Sequence, residues 1–242
     1  SKEWSTKNFA LSPQNWDAGQ ETFSATNAMG TGPFKITLRE PNTKTVFKKN
    51  GKWWGNVEHN ITEIQLLPIK NAATRVAALL SGEIDLVTDA PVQDLGRIES
   101  SAGHKVASTP QMRTIFLGMD QAVDKLRSGN TGDNPFKKKE VRQALYQAID
   151  IEAIKKKVMR GLSEPAGIIT FPGVTGYTKE LDERLPYDVD AAKQLLADAG
   201  YPDGFEVELR CPNDRYVNDE AICTAVVGML GKIGVNVSLF AQ

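Results

Sequence analysis

Four neighbouring residues, at positions 213–216, could together bind an anion. Asn213, Asp214, Arg215 and Tyr216 supply an amide, a carboxylate, a guanidinium and an aromatic ring. They precede a predicted helix whose N-terminus also favours anions, and a guanidinium can donate two parallel hydrogen bonds to a carboxylate. This loop is therefore the predicted binding site, with a carboxylate as the favoured ligand group. The alternative is that Asp214 and Arg215 are surface charges that cap the helix or pair with each other.

The loop lies between a predicted strand and a predicted helix. Residues 205–211 and 235–239 alternate apolar and polar side chains, which is the period of a strand with one buried face. Between them, apolar residues at helical spacing predict a helix with Asn218 as its N-cap and Gly234 as its stop. Two strands joined by such a helix are most easily parallel. The loop would then lie beyond the carboxyl end of the first strand, where open α/β sheets bind ligands.

Composition excludes several classes of function. The chain has 242 residues, of which 40% are hydrophobic and 24% charged, as is typical of a globular protein of one or two domains. The net charge of −1 gives no field that would attract nucleic acid or an anionic membrane. No apolar run reaches the roughly 18 residues that span a bilayer. The first twenty residues lack the pattern of a signal peptide, and we expect the natural N-terminus to lie upstream.

The two cysteines stand twelve positions apart, Cys211 on the predicted strand and Cys223 on the predicted helix. This spacing matches neither a metal site nor a disulfide framework. We expect both to be buried free thiols, with a disulfide between them as the alternative.

Residues that could perform catalysis are sparse. His59 and His104 stand in polar surroundings, with no nucleophile motif and no metal-binding pair nearby. Asp85 and Asp89 could form a carboxylate pair near the end of a short strand, but a turn and helix-capping role explains them more simply. We therefore predict no catalytic residue, no metal and no cofactor. The alternative is an enzyme of unrecognised class that uses these carboxylates and Arg215 in a cleft.

The rest of the chain alternates predicted strands and helices, which is typical of an α/β fold. We expect a long surface loop rich in Gly, Pro and Thr at 165–177. The predicted strands are 34–38, 45–48, 61–69, 84–87 and 113–119, and the predicted helices are 72–80, 141–149, 151–158 and 188–199.

Short motifs recur along the chain in a characteristic order. The first half carries Gly-Thr-Gly-Pro-Phe at 30–34, Trp54, Thr74-Arg75 and the stretch 80–86, and the second half carries Asn-Pro-Phe at 134–136 and the stretches 141–150, 187–205 and 231–237. In order and spacing they resemble the bacterial extracellular solute-binding proteins of family 5, the peptide/nickel ABC-importer family. The resemblance covers roughly residues 28–240.

The resemblance implies a periplasmic-binding-protein type II-like fold, with parts of two lobes of mixed β-sheet flanked by helices. Residues 1–117 would form part of lobe I and residues 118–242 part of lobe II, joined by a hinge at the strand 113–119. Family members are usually about twice as long, so we expect a fragment that lacks both ends.

The function that the resemblance implies is solute capture for transport. The protein would bind a small solute, a peptide or other carboxylate in the first place, and deliver it to ABC transporter permease subunits in the inner membrane. We expect a monomer in the periplasm or lipid-anchored on the outer face of the cytoplasmic membrane. Nickel, haem, opines and sugars are also carried within the family.

The resemblance also assigns roles to individual residues. In dipeptide-binding members, an arginine in the loop after the matching strand pairs with the carboxylate of the ligand, and Arg215 stands at that place. Asn213 and Tyr216 are its expected neighbours at the ligand, and Arg113, beside the lobe crossing, is a further candidate. Asp214 could instead orient Arg215.

Overall fold

The structure is a computed structural model that describes residue 28 and residues 30–242. The chain falls into two compact units, one that ends at Lys70 and one that spans Asn71–Gln242. The predicted lobes divide at residue 117, and that division stays a prediction. The part of predicted lobe I before residue 28 lies outside the described residues.

The first unit contains a three-stranded antiparallel sheet in the order β1–β2–β3. The pairing of Ile36 with Phe47 and of Phe47 with Ile64 sets its register. The third strand is shorter than predicted, because only four of its residues pair with β2. The strands are β1 (Phe34–Glu40), β2 (Lys44–Lys49) and β3 (Glu63–Leu66).

Two short helices, α1 (Ala72–Ser81) and α2 (Leu95–Ser100), open the second unit. The side chain of Asn71 caps α1, and Gly82 ends it in the left-handed conformation that glycine tolerates, with a φ of 77°. The predicted strand 84–87 is wrong, since these residues form no strand. The backbone amides of the two residues after Gly82 instead donate to the Ala78 carbonyl, which holds the chain at the helix end.

The core of the second unit lies between helices and a two-stranded parallel sheet. Apolar residues at helical spacing are buried in it, as expected for helices that turn one face to a core: Val141, Ala144, Leu145, Ala148, Ala192, Leu196, Val226 and Leu230. None of the helices in the described part of the chain is long and apolar enough to span a bilayer. The elements are α3 (Lys139–Ala148), α4 (Ile151–Ala153, continued by a π-helical turn Ile154–Val158), α5 (Val189–Asp198), β4 (Phe205–Cys211), α6 (Asp219–Gly231) and β5 (Val235–Ala241).

The predicted strand–helix–strand unit is present. Strands β4 and β5 pair in parallel from Phe205 opposite Val235 to Cys211 opposite Ala241, with α6 as the connection between them. Because the two strands run in the same direction and end side by side, the residues after Cys211 lie at the carboxyl edge of this sheet.

A close approach of two glycines fixes the other edge of the sheet. A Cβ placed on Gly204 would lie 2.0 Å from the Gly234 carbonyl oxygen, and both residues have positive φ angles, of 74° and 82°. Helix α6 ends at Gly231, earlier than the predicted stop at Gly234. Gly234 instead forms the turn that leads into β5 beside the start of β4.

The connection between α4 and α5 contains no helix or strand, as predicted for residues 165–177. It is held by Asp182, whose carboxylate accepts hydrogen bonds from Gly167 N at 2.7 Å and from the Tyr177 hydroxyl at 3.2 Å. The bond from Gly167 is the largest cause that holds the pKa of the Asp182 carboxyl below its usual value. This long connection is therefore organised by its own polar contacts.

Candidate functional site

The candidate site is the seven-residue loop 212–218, which we call the site loop. It begins after the last residue of β4 and ends just before Asp219, the first residue of α6. The parallel pairing of β4 and β5 places it at the carboxyl edge of the sheet, as the sequence predicts.

Two guanidinium groups converge on the ring of Tyr216. Arg215 donates from Nε to the Tyr216 hydroxyl at 2.9 Å, and its Cζ lies 5.4 Å from the ring centroid. The Cζ of Arg113, far away in sequence, also lies 5.4 Å from that centroid. Cations at this distance from an aromatic ring are attracted to it, by roughly 0.5–1 kcal/mol at exposed sites. The structure thus brings together three of the four predicted site residues.

The charges at this point are suited to an anion. Within the described residues neither Arg113 nor Arg215 takes part in an ion pair, and both are exposed, whereas Tyr216 is half-buried. Two positive charges that share one ring repel each other weakly and would both be stabilised by a carboxylate between or beside them. Asn213 and Asp214 are also exposed, and the structure does not bring Asn213 to the tyrosine.

A buried carboxylate that sequence reasoning missed lies beneath the loop. Asp219 is only 6% exposed. Its Oδ2 accepts hydrogen bonds from Arg215 N and Tyr216 N, both at 3.0 Å, and its Oδ1 accepts one from Glu220 N at 2.9 Å. An aspartate in the first turn of a helix is a signal for capping, but the sequence does not reveal that it binds backward to the loop.

Asn218 does not act as predicted. It occupies the N-cap position of α6, but it has a φ of 57° and its side chain makes no capping hydrogen bond. Its Nδ2 instead donates to the Val158 carbonyl at 2.9 Å, at the end of the π-helical turn. Asparagine tolerates this left-handed conformation better than most residues, and no side chain caps α6 from the N-cap position.

The predicted free thiols are wrong, because Cys211 and Cys223 form a disulfide. Their Cα atoms are 6.5 Å apart, which is within the range that a disulfide can bridge. The reason is the geometry of the connection, since α6 turns back beside the end of β4 and brings its second turn next to Cys211. The bridge therefore encloses the whole site loop.

The segment around Arg113 is not the predicted strand. Residues 113–119 have no regular structure, because a strand needs a paired neighbour and none lies beside them in the described part of the chain. Thr114 instead donates from its hydroxyl to the Ile169 carbonyl at 2.8 Å. The long connection between α4 and α5 thus reaches the residue next to Arg113.

The carboxylates of the enzyme alternative form no comparable arrangement. Asp85 and Asp89 are exposed, and the φ of 53° at Asp89 is typical of a turn residue. The two ring nitrogens of His104 lie 3.1 Å from the backbone carbonyls of Ala102 and Leu79, which is a structural role. The described residues contain no group of His, Cys, Asp and Glu side chains that could hold a metal ion.

Comparison with protein families gives a match over nearly the whole chain. The family described as "Bacterial extracellular solute-binding proteins, family 5 Middle" matches residues 6–241. Heme-binding protein A of Haemophilus influenzae is 28% identical over 225 residues, which are 90% of this chain and 38% of that protein. The periplasmic murein peptide-binding protein MppA of Escherichia coli is 27% identical over 245 residues, covering 98% of this chain and 44% of that protein. The chain thus spans less than half the length of these relatives.

Solved structures agree with the fold. The binding protein AgaA of A. tumefacien R10, solved in complex with agropinic acid, superposes with a TM-score of 0.66 and 29% identity over 96% of this chain and 45% of that chain. The predicted periplasmic-binding-protein type II-like α/β fold is therefore confirmed.

Proposed function

We propose that the chain is the substrate-binding part of an ABC importer, because it belongs to the bacterial extracellular solute-binding proteins of family 5. It captures a small solute between two lobes and passes it to permease subunits in the membrane. It acts as a monomer outside the cytoplasmic membrane, in the periplasm or anchored by lipid. Membership of a binding-protein family favours this role over the enzyme alternative.

The solute that we favour is a peptide or another carboxylate. Two relatives are named for haem and murein peptide, and AgaA was solved in complex with agropinic acid; these molecules differ in size and shape but all carry carboxylic acid groups. A common anchor for such solutes would be a cationic group that recognises the carboxylate alone. The convergence of Arg113 and Arg215 on Tyr216 at the carboxyl edge of the β4–β5 sheet is the observation that carries this proposal.

Arg215 is the residue that we assign to the carboxylate. It is exposed, and its planar guanidinium can donate two parallel hydrogen bonds that a lysine cannot reproduce. When the lobes close, the pair loses contact with water and its attraction grows. Removal of one partner of such a buried pair costs about 2–5 kcal/mol, which is roughly 30-fold to several-thousand-fold in affinity.

The first experiment identifies the solute. The complete protein is purified gently from its own host and weighed by native mass spectrometry, and a bound mass that is released on denaturation is identified by fragmentation. A bound peptide or other carboxylate is expected. A protein that stays empty after incubation with peptide, metal and sugar pools would contradict the carrier function.

The second experiment tests Arg215. A mixture of tri- and tetrapeptides with free carboxyl termini is titrated against the Arg215→Ala variant, and the same peptides with amidated termini serve as the ligand control. We expect affinity for the free acids to fall at least about tenfold, with little change in thermal stability. Arg210→Ala is the matched control, because Arg210 is also exposed and lies 5.7 Å from the ring centroid of Phe240, but outside the site loop. Unchanged affinity in Arg215→Ala would remove this residue from the site.

A further inference from the structure

Asp219 differs from two other aspartates that precede helices in this unit. Asp150 and Asp188 each accept a hydrogen bond from the backbone amide three residues ahead, at 2.8 and 2.9 Å, and so cap their own helices. Asp219 binds only one amide ahead of it, that of Glu220, and uses its other oxygen for two amides of the preceding loop. Most of its hydrogen-bonding capacity therefore serves the site loop and not the helix.

The ends of the site loop are fixed independently of Asp219. The Cys211–Cys223 disulfide joins the residue before the loop to the second turn of α6. The Asn218 side chain ties the last loop residue to the Val158 carbonyl. The middle of the loop carries the arginine and the tyrosine. The Asp219 carboxylate accepts from both of their backbone amides, and the Asp219 amide donates to the Tyr216 carbonyl at 3.4 Å.

We propose that Asp219 is a positioning residue for the anion site. Its carboxylate fixes the backbone amides of Arg215 and Tyr216, so that the guanidinium and the ring stand together before the solute arrives. A loop that is ordered in advance loses less conformational freedom on binding, and the affinity is correspondingly higher. This inference rests on the proposed function, because ordering the loop in advance favours binding only if the loop binds an anion.

The charge of Asp219 allows a positioning effect to be distinguished from a purely electrostatic effect. A carboxylate beneath a cationic site repels an incoming anion, so its charge alone opposes binding. If Asp219 acted only through its charge, its removal would raise affinity for carboxylates. If it acts by positioning, its removal lowers that affinity although a repulsive charge has gone. The two explanations therefore predict changes of opposite sign.

Two variants of the complete protein test this. Asp219→Ala removes the charge and all three hydrogen bonds, whereas Asp219→Asn removes the charge but keeps an oxygen that can still accept from the two loop amides. We expect affinity for the free-carboxyl tri- and tetrapeptide mixture to fall about tenfold in Asp219→Ala and to lie between that value and the parent's in Asp219→Asn. Asp188→Ala is the matched control, which should lower stability and leave affinity unchanged.

Amide hydrogen exchange provides a readout without any solute. In mass spectrometry of a peptide that contains Arg215 and Tyr216, exchange should become at least about tenfold faster in Asp219→Ala, while the helix α5 peptide keeps its parent rate. Equal or tighter binding in both Asp219 variants, or exchange at the parent rate in Asp219→Ala, would overturn the positioning role. Unchanged affinity in Arg215→Ala with accelerated exchange in Asp219→Ala would instead overturn the anion site and with it this inference, so the two failures are told apart.

Discussion

Breaking the Cys211–Cys223 disulfide should destabilise the second unit by about 3 kcal/mol. The perturbation is the double replacement of both cysteines by alanine. The bridge closes a short loop, with a sequence separation of 12 residues, and the chain-entropy relation gives about 3 kcal/mol for a loop of this size. The stabilisation arises chiefly because the bridge restricts the unfolded chain.

The assay is urea unfolding followed to completion in the parent and the double variant. The free energies of unfolding are compared and not the midpoints alone, because a chain without the bridge unfolds to a more expanded state and changes the slope. Reductant provides the control. It should lower the stability of the parent to that of the double variant and leave the double variant unchanged.

Two results would refute this reasoning. If the unreduced, unfolded parent labels with two equivalents of a thiol reagent, Cys211 and Cys223 are not bridged in the isolated protein. If they are bridged and the double variant loses less than about 1 kcal/mol, the chain-entropy argument fails for this loop. A stable bridge would also agree with the proposed location outside the cytoplasm, where thiols are oxidised.

Two further predictions concern the β4–β5 sheet and its surroundings. Gly204→Ala should destabilise the protein by about 3 kcal/mol or more, since the new Cβ would lie 2.0 Å from the Gly234 carbonyl oxygen, whereas Gly228→Ala, with nothing within 4 Å in mid-helix, should stabilise it by about 0.5–1 kcal/mol. Similar changes in the urea unfolding of both variants would argue against the close glycine packing. Burial raises the pKa of Tyr201 to about 12, and the hydrogen bond to Asp133 adds to this effect. The folded state therefore binds the phenol proton more tightly than the unfolded state does. The contribution of Tyr201 to stability is complete below about pH 10 and is lost as the pH rises from 10 to 12. Tyr201→Phe should reduce the loss of unfolding free energy in that window, and an equal loss in parent and variant would exclude this role.

The elements that sequence predicts correctly are those whose signal is local. The alternation in 205–211 and the helical spacing of α6 are properties of neighbouring residues, and the parallel pairing follows from the length of the connection. The strands predicted at 84–87 and 113–119 fail because a strand exists only with a partner. Four or seven residues of suitable composition do not reveal whether a partner is present.

In the candidate site too, contacts between neighbouring residues can be predicted from the sequence, whereas contacts between distant segments cannot. Arg215 and Tyr216 are adjacent in the chain, so their contact can be anticipated from the sequence, and the role proposed for Arg215 comes from the family resemblance. The contact of Arg113 with the same ring depends on a fold that brings distant segments together. The backward hydrogen bonds of Asp219 and the disulfide likewise depend on how α6 returns to the end of β4.

The site loop combines a restrained backbone with exposed charged side chains, and this combination has little value for folding. In a core, a buried carboxylate and its hydrogen bonds hold apolar side chains in place. Burial of each of these apolar side chains stabilises the protein by roughly 1.5–3 kcal/mol. Here the restrained backbone displays Arg215, whose contact with the ring of Tyr216 is worth only about 0.5–1 kcal/mol at an exposed site. The restraint also requires Asn218 to adopt a left-handed conformation and Asp219 to be buried with its charge. Such costs are reasonable if the loop must keep one conformation for a ligand, because strained backbone is found where a ligand must be held.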